Sequence, residues 1–124
     1  MFSSSSEAYA GALGLLGDDF PIPTPEKIPL VIDEPENVRW SYGASKMLGE
    51  VAMHAYSSEN DDLEFATVRY HNIYGPYGTY DGGREKAPAA LCRKVIMANK
   101  NSDDKIEVWG DGMQTRTFLY IDDC

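Results

Sequence analysis

Residues 2–10 read FSSSSEAYA, and residues 40–46 read WSYGASK. The fold turns on whether these two stretches belong together. A hydroxyl-rich opening is ordinarily a frayed terminus or a helix cap. Four serines running into Glu7, Ala8 and Tyr9 fit another description. They look like the carboxyl end of a short strand, and in open α/β sheets ligands bind at such ends. WSYGASK opens a helical pattern. Met47, Leu48, Val51, Ala52 and Ala55 recur at helical spacing, which predicts a helix from Trp40 to about Ser58 with Ser41 as its cap.

Outward from these stretches, residues 11–38 hold Pro21, Pro23, Pro25, Pro29 and Pro35 and read as one long irregular loop. Loops of that length are usually functional. LEFATVRY, residues 63–70, reads as a buried strand of a parallel sheet. GPYGTYDGG, 75–83, is a further loop. Residues 87–99 read as a helix with Pro88 in its first turn. KIEVWGDGMQTRTFLYID, 105–122, reads as strand, Gly-Asp-Gly turn, strand. Helices alternating with strands predict an α/β layer structure. So few apolar strands do not complete a parallel sheet, and the chain reads as a fragment of a longer one.

With 124 residues, 43% hydrophobic and 25% charged, the composition is that of a soluble globular domain. A net charge of −9 repels a long polyanion, so a nucleic-acid partner is not expected. No apolar run approaches the ~20 residues that span a bilayer, and no basic stretch precedes an apolar one as in a signal peptide. Neither a membrane partner nor export is expected. Cys92 and Cys124 form no CxxC, and His54 and His71 add no ligand spacing, so no metal site is predicted. Unpaired thiols suit a reducing compartment.

Tyr42 and Lys46 stand four apart near a helix start and share a face. An ammonium beside a phenol favours the phenolate. Such a tyrosine can take a hydroxyl proton while a hydride leaves the same carbon. Taken alone, the pair is weak, since a solvated lysine and a half-buried tyrosine are the ordinary outcome. The order of motifs is more specific. FSSSSEAYA, the proline-rich stretch, WSYGASK, VRYHNIYGPYG and VWGDGMQTRTFLYIDD follow one another along the whole chain. This succession resembles the extended short-chain dehydrogenase/reductase family, the nucleotide-sugar epimerases and dehydratases, over nearly all of residues 2–124.

The resemblance implies a Rossmann-like doubly wound parallel sheet. Residues 1–75 would be the C-terminal part of that domain, and residues 76–124 a substrate-binding region with return strands. It implies a catalytic set of Ser5, Tyr42 and Lys46, with Ser6 beside it. Ser5, Tyr42, Lys46 and His71 would bind the cofactor, NAD, or NADP in its place. The implied partner is a nucleotide-sugar, and the implied state a cytoplasmic homodimer. The family's opening GxxGxxG phosphate loop and its closing segment have no counterpart here. Gly11, Gly14 and Gly17 match that spacing but follow the serine motif. The expectation is a chain that is inactive by itself.

Two features bear on the reaction. Glu7 stands where the family's dehydratases carry a base, although an isolated glutamate is ordinarily a surface carboxylate. HNIYGPYGTYDGGREKAPAALCRK, 71–94, with the later WGDGMQTR, resembles the 3,5-epimerase branch of the family. That likeness implies Glu85 and Lys86 at the sugar, with Lys86 as an acid/base. It also implies Asn72, Gln114 and Arg116 as substrate contacts. The 3,5-epimerases have a cysteine where Glu7 stands, which keeps dehydration, decarboxylation and simple 4-epimerisation open. A non-catalytic remnant or nucleotide-binding module of the same fold is the alternative.

Overall fold

The computed structural model describes residues 1–124. The chain is mixed α/β and divides into two compact units, Met1–Tyr70 and His71–Cys124.

In the first unit, β1 (Phe2–Ser5) pairs in parallel with β2 (Thr67–Tyr70), Phe2 opposite Thr67 and Ser5 opposite Tyr70. Parallel neighbours require a crossover connection. Here it consists of α1 (Ala10–Leu16), an irregular stretch, and α2 (Trp40–Ser58). The serine run is therefore a strand, as its sequence predicts. β2 is shorter than the expected 63–70, because β1 offers four residues for pairing.

Residues 11–38 are not one loop. Ala10, Ala12, Leu13, Leu15 and Leu16 are strong helix formers and outweigh Gly11 and Gly14, giving α1 and a 3₁₀ turn at Gly17–Asp19. The remainder is irregular as predicted, and it folds back over α1. Tyr9, Ala12 and Ile28 form a small core, with Leu16, Phe20, Leu30 and Val31 packed on it.

Helix α2 has the predicted span but not the predicted cap. Arg39 occupies the cap position without a side-chain capping bond, and Ser41 lies in the first turn, its Oγ donating to the Val38 carbonyl at 2.8 Å. The helix buries Trp40, Gly43 and Glu50. Leu48 and Val51, members of the apolar pattern, are 69% and 60% exposed. The reason lies in β1, whose serines demand a polar and close-fitting partner. Ser4 donates to the Glu50 carboxylate, Lys46 Nζ donates to the Ser3 carbonyl at 2.8 Å, and the Phe2 ring sits over the α-carbon of Gly49.

In the second unit, β3 (Asn72–Tyr74) pairs in parallel with β4 (Phe118–Tyr120), and α3 (Ala87–Asn101) lies between them in sequence. Pro88 falls in the first turn of α3 as expected. Gly110 and Gly112 both have positive φ, so the Gly-Asp-Gly turn is present. The expected strand before it is not. The Glu107 carbonyl instead accepts a bond from Lys94 Nζ at 2.6 Å, and Lys94 lies 5.5 Å from the centroid of the Trp109 ring. No helix is long and apolar enough to cross a membrane.

Candidate active site

Residues Ser5, Ser6, Glu7, Tyr42 and Lys46 all belong to the first unit. Ser5 ends β1, at the carboxyl edge of the parallel pair. Its Oγ accepts the Glu7 N–H at 3.2 Å and caps the 3₁₀ turn Ser6–Ala8. Tyr42 and Lys46 lie in the first two turns of α2. Lys46 Nζ is 5.6 Å from the Tyr42 ring centroid and 5.7 Å from that of Phe2. Together with its bond to the Ser3 carbonyl, this sets the ammonium between the body of β1 and the Tyr42 ring. Tyr42 is 51% exposed, so its ring is open to a ligand.

Two contacts bring the turn and the helix together. A β-carbon at Gly43 would stand 2.9 Å from the Glu7 carbonyl oxygen, so only glycine permits this approach. Arg39 donates from Nε and Nη2 to Glu7 Oε2 at 3.4 and 3.3 Å. The carboxylate that follows the serines is thereby held toward the start of α2.

Beneath them lies a charge network that sequence reasoning missed. Glu50, 3% exposed, takes bonds from Arg69 Nη2 at 2.6 Å and from Arg69 Nε at 2.9 and 3.1 Å. Arg69 Nη1 also donates to the Glu26 carbonyl at 2.9 Å. The Arg69 hydrogen bonds, helped by Ser4, hold the Glu50 carboxyl below its ordinary range, against the opposing effect of burial. Burial pushes the Tyr9 phenol up, and the Arg69 charge partly offsets this. The network fastens β1, α2, β2 and the proline-rich stretch to one another. A signal was available: Arg69 interrupts a largely apolar strand, and Glu50 falls within the apolar pattern of α2.

His71, Asn72, Glu85, Lys86, Gln114 and Arg116 belong to the second unit. Asn72 Nδ2 donates to the Thr117 carbonyl at 3.1 Å, beside the β3–β4 pair. Lys86 occupies the cap position of α3 with extended backbone and is exposed. Glu85 accepts from Arg93 Nη2 at 3.0 Å. Its own backbone N–H first, and Arg93 next among side chains, hold its carboxyl below the ordinary range. The Gln114 amide packs on the α-carbon of Gly110. Arg116 is exposed, and its Nη1 donates to the Thr115 carbonyl at 2.7 Å.

The Ser5 hydroxyl thus ends β1, and α2 sets a phenol and an ammonium beside the same strand; open α/β sheets bind ligands at strand carboxyl ends. The chain belongs to the NAD dependent epimerase/dehydratase family, which matches it over residues 1–124. It is 49% identical over 84 residues to GDP-mannose 3,5-epimerase 1 of Oryza sativa subsp. indica and to GDP-mannose 3,5-epimerase of Arabidopsis thaliana. Each alignment covers 68% of this chain and 21% of the relative. UDP-N-acetyl-alpha-D-glucosaminuronate decarboxylase of Bacillus cytotoxicus is 33% identical over 124 residues, covering 100% of this chain and 34% of the relative. The chain thus spans about a fifth to a third of the length of these relatives. No solved structure matches it.

The family name implies a nicotinamide cofactor, and the first unit fits one end of it. Ser5, Tyr42 and Lys46 offer the donors that a nicotinamide ribose and a reacting hydroxyl require. Gly11, Gly14 and Gly17 do not fit the pyrophosphate. A side chain at Gly11 would collide with the Val31 carbonyl, and Gly14 lies beside the Asp33 carboxylate, which repels phosphate. Gly17 ends α1, whereas a phosphate loop opens a helix.

Proposed function

We propose that the whole protein is a nucleotide-sugar epimerase or dehydratase that uses NAD, or NADP, and works through a 4-keto sugar, with 3,5-epimerase-like chemistry favoured. One observation carries this reading: Lys46, bonded to the Ser3 carbonyl within β1, lies 5.6 Å from the Tyr42 ring centroid. Tyr42 takes the proton of the C4 hydroxyl. Lys46 stabilises the phenolate that does so, and Ser5 hydrogen-bonds the same oxygen, with Ser6 beside it. Ser5, Tyr42, Lys46 and His71 would hold the dinucleotide cofactor, which would supply hydride acceptance and return. The 4-keto group acidifies the neighbouring C–H bonds, where Lys86 and Glu7 move protons. Asn72, Glu85, Gln114 and Arg116 bind the sugar nucleotide. The outward apolar stripe of α2, Leu48, Val51 and Tyr56, supports a homodimer.

A second reading, dehydration or decarboxylation, draws support from Glu7, the acidic group that the 3,5-epimerases lack. The test is turnover of the whole protein in D₂O, followed by NMR of the sugar ring. Tyr42→Phe is expected to lower turnover by ~10²–10⁴-fold, the usual weight of a general acid–base group. Deuterium is expected at a ring carbon other than C4, and Lys86→Ala is expected to abolish it. Deuterium-free product from an active enzyme removes the 3,5-epimerase and dehydratase readings and leaves 4-epimerisation.

A further inference from the structure

The candidate proton-transfer residue Lys86 sits at the very start of α3, where a helix ladder holds the chain least. Its carbonyl accepts the Ala90 N–H at 3.0 Å, and the segment before it has short-range bonds of its own, the Gly82 N–H to Asp81 Oδ1 at 2.8 Å and the Gly83 and Glu85 N–H groups to the Glu85 carboxylate, none of which reaches α3. Gly82 and Gly83 both lie in the left-handed region, with open space where a side chain would be. The group that ties this segment down is the Arg93 guanidinium, seven residues into α3. Its Nε donates to the Tyr80 carbonyl at 2.9 Å and its Nη2 to Glu85 Oε1 at 3.0 Å. Asp81 Oδ1 lies 3.7 Å from Nε. One planar fork therefore grips three residues of the segment, which a lysine, as a point charge, does not reproduce.

The grip has a directional result. The Glu85 side chain is 9% exposed, turned toward Arg93. The backbone at Lys86 is extended, with φ −79° and ψ 158°. Successive side chains of an extended backbone point to opposite sides. With Glu85 fixed inward, Lys86 is turned outward, and it is exposed. We propose that Arg93 is the positioning residue of this site, holding Glu85 against α3 so that the Lys86 ammonium is presented in one place. The proposal rests on the reading of Lys86 as a proton-transfer group. It recasts Glu85, whose carboxylate is engaged with Arg93, as the anchor for Lys86.

The test compares the whole protein with its Arg93→Gln and Arg93→Lys variants, α3 being checked by circular dichroism. NMR follows the Glu85 carboxyl titration and the amide exchange of residues 82–86. Solvent deuterium entering the sugar ring gives kcat, KM and the pH profile. In Arg93→Gln the amides are expected to exchange at least ~10-fold faster, and Glu85 to titrate toward the ordinary glutamate range. Deuterium entry should fall by ~10–100-fold through kcat with KM little changed, the scale of an ångström-sized misplacement. Arg93→Lys should lie between. Unchanged loop exchange, or unchanged deuterium entry from a loosened loop, overturns the proposal. If the unsubstituted protein introduces no deuterium while Arg93→Gln still frees residues 82–86, the role of Lys86 falls and the hold of Arg93 on the segment stands.

Discussion

Both units contain one pair of parallel strands, and they secure it by opposite means. The first unit encloses its polar seam. Ser4, Ser5 and Glu50 are buried together with Ala8, Tyr9, Ala12, Ile28 and Trp40. The second unit buries no residue to that degree. It is tied by long side chains reaching backbone carbonyls: Asn72 to Thr117, Arg93 to Tyr80, Lys94 to Glu107. A buried ion pair is costly to break, whereas exposed ties in water contribute little each. The difference teaches where each unit is vulnerable. The first depends on a few enclosed groups, the second on many weak ones.

The sharpest way to break the comparison is Glu50→Ala. It leaves Arg69 without its carboxylate partner, and should cost the first unit about 3 kcal/mol, the lower end for a broken buried pair because Arg69 is partly solvated. A urea titration followed by NMR should show the first unit's signals lost early and those of residues 71–124 little moved. A smaller shift than that of an ordinary surface substitution would mean the seam is not what fastens β1 to α2.

Acid should produce a graded version of the same effect. Glu50 has a carboxyl depressed by Arg69 in the folded state. The stability it contributes is complete above its ordinary value, near 4.5, and is lost as pH falls through the lower folded value. Melting of the first unit should therefore decline with falling pH below that point. Glu50→Gln should flatten much of the dependence, and a profile unchanged by that substitution would contradict the assignment.

The smallest effect is expected at the surface. The Arg39–Glu7 pair has side chains 60% and 37% exposed, and Arg39→Gln should change stability by less than ~1 kcal/mol. Its interest lies elsewhere, in freeing the Glu7 carboxylate. If Glu7 acts on the substrate, turnover should change while the melting temperature does not.

Much of the fold was legible where the chain obeys local rules. The span of α2, the strand end at Ser5, Pro88 at the start of α3 and the Gly-Asp-Gly turn all follow from propensity and spacing. The motif order also pointed to the family that matches residues 1–124. What escaped depended on distant partners. β3 exists because Phe118–Tyr120 lies beside it, and no local pattern in Asn72–Tyr74 announces that. The apolar pattern of α2 showed its span but not its buried groups Trp40, Gly43 and Glu50, because β1 offers serines as the neighbour. At the candidate site, the tyrosine and lysine were visible as a pair. Arg39, Glu50, Arg69 and Arg93, which hold the site's elements in place, were not, since their partners lie 8 to 46 residues away along the chain.

Gly43 carries a practical warning for anyone mapping this protein by random substitution. The position adjoins Tyr42 and has no reactive atom, yet the Glu7 carbonyl fills the space a methyl group needs. Even alanine must lift the start of α2 off the turn, taking Tyr42 and Lys46 with it. A screen scored by activity will rank Gly43 among the chemical groups, and a screen scored by folding will rank it below Glu50. The gap between the two rankings, more than either alone, is the mark of a residue whose contribution is the absence of a side chain.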